Sequence, residues 1–316
     1  MTRLRSLGSS DLAVSPLCLG GNVFGWTADE EHSFAVLDAY AAGGGNFVDT
    51  ADSYTASAPG NQGGESETII GAWLRARGNR DDMVIATKAG RHPRFRGLAP
   101  ETIRGAAEES LRRLGTDHID LYYTHFDDES VPVEDIITAL DGLVKAGKVR
   151  AIAASNISPE RLSASLAFSD REGLARYVAL QPHYNLVSRD TYEGGRQDVV
   201  ERNGLACVPY FALASGFLTG KYAPGVAVDS PRARPGLAGG YAETERGAKV
   251  IAALGKTAAA HGVEPATVAL AWLARQPTVV APIASARTVG QLPALLALQD
   301  LRLTEAELRE LTEASA

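Results

Sequence analysis

Asn46-Phe47-Val48-Asp49-Thr50-Ala51-Asp52-Ser53-Tyr54 runs a short apolar segment into two carboxylates and a phenol. Gly43-Gly44-Gly45 precedes it, a stretch of high backbone freedom, and the β-branched and aromatic residues that follow suit a short core strand. The segment is expected to deliver Asp49 and Tyr54 to one end of a sheet. Alone, an acid and a tyrosine are weak evidence, because Asp49 could cap a turn and Tyr54 could pack with its hydroxyl in water. Two further segments of the same kind change this reading. Val84-Ile85-Ala86-Thr87-Lys88 ends in an ammonium, and Ile119-Asp120-Leu121-Tyr122-Tyr123-Thr124-His125 ends in an imidazole.

Outward from these segments, strand and helix patterns alternate. Strands are expected at Val14 to Leu19, 46–49, 83–88, 119–125, 149–155, 177–181, 205–210 and 278–284. Between them, apolar residues recur at helical spacing over about 65–77, 100–114, 133–146, 190–203, 244–261, 264–275 and 288–298. Thr27 and Glu30 have capping-box spacing before Phe34, Leu37 and Tyr40, and Thr304 with Glu307 repeats that spacing before a final helix. Ser158-Pro159-Glu160 reads as a cap with proline in the first turn, whereas Ala99 before Pro100 offers no side-chain cap, a contribution of about 1 kcal/mol. Gly194-Gly195 weakens the helix at 190–203. Gly8-Ser9-Ser10-Asp11 joins two short apolar pieces as a hairpin. Repeated strand-then-helix units imply parallel strands with right-handed crossovers, and about eight of them close into a (β/α)8 TIM barrel. Residues 1–316 read as a single domain without a linker.

Composition narrows the function classes. Of 316 residues, 45% are hydrophobic and 22% charged, enough for one substantial core. The net charge of -7 disfavours a general affinity for nucleic acid backbone. No apolar run reaches the length of a membrane span and the N-terminus has no signal-peptide core, so the expected location is the cytoplasm. Cys18 and Cys207 sit inside apolar segments and read as core thiols. Neither they nor His92, His118, His183 and His261 have metal-ligand spacing, and no metal is expected. No Gly-x-Gly-x-x-Gly follows a strand, and Gly216-Phe217-Leu218-Thr219-Gly220-Lys221-Tyr222 is one residue short between its glycines and has Tyr where a phosphate loop needs Ser or Thr.

The chain resembles the aldo-keto reductase family. The resemblance is carried by Asp49-Thr50-Ala51-Asp52-x-Tyr54 with Gly64-Glu65-Ser66-Glu67 behind it, Thr87-Lys88, Leu121-Tyr122-Tyr123-Thr124-His125, Ala154-Ser155-Asn156, Gln181-Pro182-x-Tyr184-Asn185, and Gly216-Phe217-Leu218-Thr219-Gly220-Lys221, in the family's order over nearly the whole chain. It implies a catalytic tetrad of Asp49, Tyr54, Lys88 and His125, and an N-terminal hairpin closing the bottom of the barrel. The tetrad has a physical logic of its own. Carbonyl reduction needs a proton on oxygen, and a phenol with pKa about 10 donates poorly near neutrality. Lys88 is expected to lower that value, Asp49 to hold Lys88 charged and oriented, and His125 to offer an N–H to the carbonyl oxygen.

For the cofactor, NADPH or NADP+, the resemblance implies that Ser155, Asn156 and Gln181 meet the nicotinamide carboxamide and that Tyr210 stacks under its ring. Gly21 and Asn22, in the loop Gly20 to Trp26, let the cofactor approach the backbone. Phe24 and Trp26 of that loop either enter the substrate pocket beside Tyr54 and His125 or are core aromatics. Phe211 and Ala212 replace the Ser and Pro common in relatives, so diphosphate contacts would come from backbone amides or Ser215. The loop Leu213 to Lys221, with Gly216, would cover the diphosphate. Ile283, Ser285, Arg287 and Gln291 belong to the adenosine 2′-phosphate and adenine end, at a helix start suited to phosphate. Residues 212 to 243, rich in Pro and Gly, form the longest irregular stretch and read as a closing cover. Together with Trp26, residues 55 to 62 and Arg91-His92 they would wall the pocket.

The function these residues imply is NADPH-dependent reduction of an aldehyde or ketone, with small carbonyl compounds as partners. The alternative is a nicotinamide-binding regulatory or accessory protein on the same barrel with little turnover, since fold does not fix function. An intact tetrad argues against the alternative.

Overall fold

The computed structural model describes residues 3–222 and 238–316. A hairpin of β1 (Arg5–Ser6) and β2 (Ala13–Val14) comes first, paired antiparallel. It is followed by β3 (Cys18–Gly20), α1 (Glu30–Ala42), β4 (Phe47–Asp49), α2 (Glu65–Arg77) and β5 (Val84–Ala89). A second small hairpin, β6 (Arg91–His92) and β7 (Phe95–Arg96), precedes α3 (Pro100–Leu114). Then come β8 (Ile119–Thr124), α4 (Val133–Lys145), β9 (Val149–Ser155), α5 (Pro159–Glu172), β10 (Tyr177–Gln181), α6 (Gly195–Arg202) and β11 (Ala206–Cys207). The short α7 (Ala238–Ala242), α8 (Glu245–His261), α9 (Pro265–Leu273), β12 (Ile283–Ala284), α10 (Leu292–Leu296) and the C-terminal α11 (Glu305–Ala314) complete the order.

One parallel sheet runs β11-β10-β9-β8-β5-β4-β3-β12. The Cys207 N–H donates to the Thr278 carbonyl, and the Val280 N–H to the Cys207 carbonyl, each at 2.9 Å; Ile283 N–H reaches the Pro209 carbonyl at 2.9 Å. These bonds tie β11 to the segment entering β12, so the sheet closes on itself as a (β/α)8 barrel. The closing strands are shorter than the expected 205–210 and 278–284 because Pro209 and Pro282 cannot donate to a ladder.

The two-residue period of a strand sorts the core into two shells. Cys18, Phe47, Val84, Ala86, Leu121, Tyr123, Ala151, Ala153 and Ala179 pack inside the barrel, and Leu7, Leu12 and Val14 of the first hairpin join them as its floor. Val48, Ile85, Tyr122, Ile152 and Leu180 point outward to the helices. At Gly8, φ is +57° and a Cβ would stand 2.1 Å from the Val178 carbonyl oxygen, so only glycine lets the hairpin turn lie this close to β10.

Several local expectations need correction. Val14 to Leu19 is divided by Ser15-Pro16 into the hairpin strand β2 and the barrel strand β3. The cap of α1 is Asp29, which accepts from the His32 N–H at 2.9 Å, and not Thr27. α6 begins only at Gly195, after Gly194 with φ of +91°. The helix expected at 288–298 is broken into a 3-10 turn at Val289–Gln291, the five-residue α10 containing Pro293, and a second 3-10 turn at Ala297–Gln299. Ala99 indeed leaves α3 without a side-chain cap, while Ser158 and Thr304 cap α5 and α11, the latter with the full capping box. Of the stretch 212 to 243, the parts on either side carry a 3-10 segment at Ala214–Thr219 and α7, and residues 223–237 of the expected cover lie outside the described residues. Both cysteines are buried free thiols. Among the described residues, no helix is long and apolar enough to cross a membrane.

Candidate active site

The inward phase of these strands carries a residue at or next to the C-terminal end of each into the mouth of the barrel. Phe47 and Asp49 share a phase on β4, as do Val84, Ala86 and Lys88 on β5, Ala151, Ala153 and Ser155 on β9, and Ala179 and Gln181 on β10. His125 continues the Leu121, Tyr123 phase one step beyond β8, its N–H bonded to the Ala89 carbonyl at 2.9 Å. The site is therefore the polar end of an otherwise apolar interior column.

Lys88 is fully buried and its ammonium donates three hydrogen bonds: to Asp49 Oδ2 at 2.6 Å, the Thr50 carbonyl at 2.7 Å and the Tyr54 hydroxyl oxygen at 2.8 Å. The Tyr54 hydroxyl donates to Asp49 Oδ2 at 3.0 Å. The other Asp49 oxygen, Oδ1, accepts from Gln181 Nε2 at 2.9 Å. Burial pulls the Lys88 ammonium below its ordinary range, against the attraction of Asp49. Tyr54 departs from the sequence expectation. Burial, then the Asp49 carboxylate, holds its phenol well above the usual value, so the net shift is upward despite the Lys88 ammonium beside it. His125 lies edge-on to Tyr54 with ring centroids 6.0 Å apart and its Nδ1 3.5 Å from Ser53 Oγ. Burial, Lys88 and Arg91 push its pKa well below 6.5, which keeps the imidazole neutral with one N–H to give. Asp52 stays out of the mouth: it is buried, and burial and the Glu67 carboxylate push its pKa well up.

Asp49, Tyr54, His125 and Gln181 border a cavity of about 850 Å³. Asn22, Trp26, Tyr54, His125, Ser155, Asn156, Gln181, Tyr210, Phe211, Leu213, Ser215, Gly216, Lys221, Ile283, Ser285, Arg287 and Gln291 all line it. Three expected site residues, Gly21, Phe24 and the fully buried Lys88, do not, nor does His92 of the expected wall. Gly20 rather than Gly21 faces the cavity, because Gly21 is turned against Ser66, with its N–H on the Asp49 carbonyl at 2.7 Å. Phe24 is fully buried in the outer core, and Val23 takes the lining position. Phe126, Ser53 and Thr27 also line the cavity; for Phe126 the hint in the sequence is an aromatic placed directly after the strand-ending His125.

The cavity's far arm has the chemistry of a dinucleotide site. One face of Tyr210 is stacked on His183, ring centroids 5.5 Å apart at 19°, and its hydroxyl donates to Asn156 Oδ1 at 2.8 Å, which fixes the ring as a platform. Asn156, at φ of +50°, donates to the His125 carbonyl and to Ser155 Oγ, each at 2.9 Å. A Cβ on Gly20 would sit 2.5 Å from Ser285 Oγ, so the glycine opens the cleft beside that serine. Ala214, Ser215 and Gly216 all have positive φ, an unusual run that bends the backbone along the cavity wall. Lys221 and Arg287 form no ion pair with any described residue. Gln291 is partly committed already, since its Oε1 accepts the Arg287 N–H at 2.7 Å. An aromatic platform, a glycine cleft and two cations without an ion-pair partner among the described residues fit a nicotinamide dinucleotide.

A closed barrel with a lysine, an acid and a phenol bonded together at the C-terminal ends of its strands is a scaffold for proton transfer beside a long ligand cleft. Comparison with known proteins agrees. A model of the Aldo/keto reductase family matches residues 16–316. The chain is 33% identical to the protein tas of Escherichia coli, over 96% of this chain and 94% of that one. It is also 33% identical to the norsolorinic acid reductase stcV of Emericella nidulans (96% and 78%), and 30% identical to the aryl-alcohol dehydrogenase (NADP+) of Phanerodontia chrysosporium (96% and 83%). The chain belongs to the aldo/keto reductase family, oxidoreductases that act on carbonyl and alcohol groups and typically use a nicotinamide cofactor.

Proposed function

We propose that the chain, working as one domain, reduces an aldehyde or ketone with NADPH and that Tyr54 is the proton donor. The observation that carries this is the Tyr54 hydroxyl, bordering the cavity while bonded to both Lys88 and Asp49. When bound, the reduced nicotinamide supplies the hydride. Ser155, Asn156 and Gln181 would orient its carboxamide and Tyr210 would support its ring. The neutral His125 gives its N–H to the substrate carbonyl oxygen and holds it near Tyr54. The Tyr54 proton, resting on Asp49, turns to that oxygen as negative charge grows there. Lys88, 2.8 Å away, then faces a developing phenolate, and its ammonium stabilises that charge where it forms. The raised resting pKa and the stabilised product are compatible: Lys88 acts during the transfer, not before it.

Consumption of NADPH with a panel of aldehydes tests the proposal. Tight NADPH binding without consumption by any aldehyde would favour an accessory role instead.

Preference for NADPH over NADH is expected from Arg287, with Ser285 beside it. An arginine on a dianionic phosphate makes charge-assisted hydrogen bonds, so Arg287→Ala should weaken NADPH binding by roughly 1 to 3 kcal/mol and barely change NADH. Equal losses for both in a binding titration would make Arg287 structural.

A further inference from the structure

A third cation, Arg91, lines the cavity besides Lys221 and Arg287. Arg91 opens the β6–β7 hairpin directly after β5 and lines the cavity beside His125. The residue before it, Gly90, has φ of +107°, and a Cβ there would meet Leu98 Cδ2 at 3.0 Å. This glycine turn sets the direction in which Arg91 leaves the strand.

The arginine is exposed and rests against a ring. Its Cζ lies 4.2 Å from the centroid of the Phe126 ring, closer than the 5.2 to 5.7 Å of the other arginine–aromatic contacts among the described residues. Phe126 in turn lies 5.3 Å from the His125 ring, so the guanidinium is two ring steps from the imidazole that would hold the carbonyl. Stacking covers one face of a guanidinium and leaves its in-plane N–H groups able to meet a carboxylate two at a time. The side chain makes no hydrogen bond or ion pair with a described residue, whereas several acids have partners of their own. Asp127 faces Arg161 Nε at 2.5 Å, Asp128 accepts from Leu98 N at 2.9 Å, and Glu65 accepts from Gln62 N at 2.6 Å and Thr55 Oγ1 at 2.9 Å. Trp26 and Phe126, exposed by 44% and 38%, give this end of the cavity aromatic walls.

We propose that Arg91 reads an anion on the substrate, so that the substrates are flat apolar carbonyl compounds bearing a carboxylate or comparable anion away from the reacting carbonyl. The assignment of the carbonyl to His125 and Tyr54 rests on the reductase function proposed above. Arg91 is a specificity residue; it touches no reacting atom.

The test compares 4-carboxybenzaldehyde with its neutral ester, methyl 4-formylbenzoate, and adds calorimetric binding of terephthalate to the NADP+-loaded protein. Wild type should favour the carboxylate at least about tenfold in kcat/KM, and Arg91→Gln should erase that preference, the loss falling on KM for the carboxylate. Arg91→Lys, which keeps the charge but not the flat fork, should recover only part of it. Terephthalate binding should fall at least about tenfold in Arg91→Gln. If both aldehydes are reduced equally well and the variant changes neither, the anion assignment is wrong and the reductase function stands. If neither aldehyde is reduced but terephthalate binds in an Arg91-dependent way, the anion site stands and the reductase function is wrong.

Discussion

Tyr54→Phe is expected to lower carbonyl reduction by a factor of about 100 or more, with NADPH affinity close to wild type. The substitution removes one hydroxyl and keeps the ring. Lys88 retains Asp49 at 2.6 Å and the Thr50 carbonyl at 2.7 Å, and Asp49 retains Lys88 and Gln181, so no buried charge is orphaned. Stability should therefore change little, and the lost rate reports proton donation. Steady-state kinetics beside a thermal melt and an NADPH titration make the measurement. A folded variant that binds NADPH and reduces aldehydes at the wild-type rate would overturn the role of Tyr54.

Lys88→Met is expected to lose both activity and stability. The fully buried ammonium is the only positively charged partner of Asp49 among the described residues. Breaking a buried pair by removing one member typically costs about 3 to 5 kcal/mol, because the remaining charge stays in low dielectric without compensation. Activity falls for a separate reason: the phenolate that forms as Tyr54 gives up its proton has no cation beside it. The two effects can be separated by adding Asp49→Asn. The double variant should regain much of the melting temperature and none of the turnover, and recovery of turnover would show that Lys88 serves only to neutralise Asp49. Combined with Tyr54→Phe, the kinetic losses should be strongly non-additive, as expected of residues acting as one unit.

The barrel and its mouth were legible in the chain because both follow from one period. Apolar residues two apart along β4, β5 and β8 declare an inward face, and extending that face by one step reaches Asp49, Lys88 and His125 without further information. Loop residues have no such phase. Phe24 and Trp26 are equivalent aromatics in sequence, yet the turn through Val23 to Ala28 buries one and leaves the other at the cavity. Proline explains the weak closing strands and the broken helix near Arg287, because its missing N–H interrupts whichever ladder it enters. The acidity of Tyr54 is not legible in the sequence for a different reason. Residue types show that an ammonium and a carboxylate are both near the phenol, but only the geometry shows the hydroxyl donating to the carboxylate, which with burial raises the pKa. Arg91 beside Phe126 depends on two separate strand ends meeting, a contact carried by neither segment alone.

The most direct test of the central claim is isotope transfer by the wild-type protein. NADPH deuterated at the reactive C4 position is incubated with methyl 4-formylbenzoate, and the alcohol product is analysed by mass spectrometry beside the loss of NADPH. The account predicts one deuterium on the carbinol carbon for each NADPH consumed. NADPH that binds but yields no labelled alcohol from this or any other aldehyde offered would contradict it.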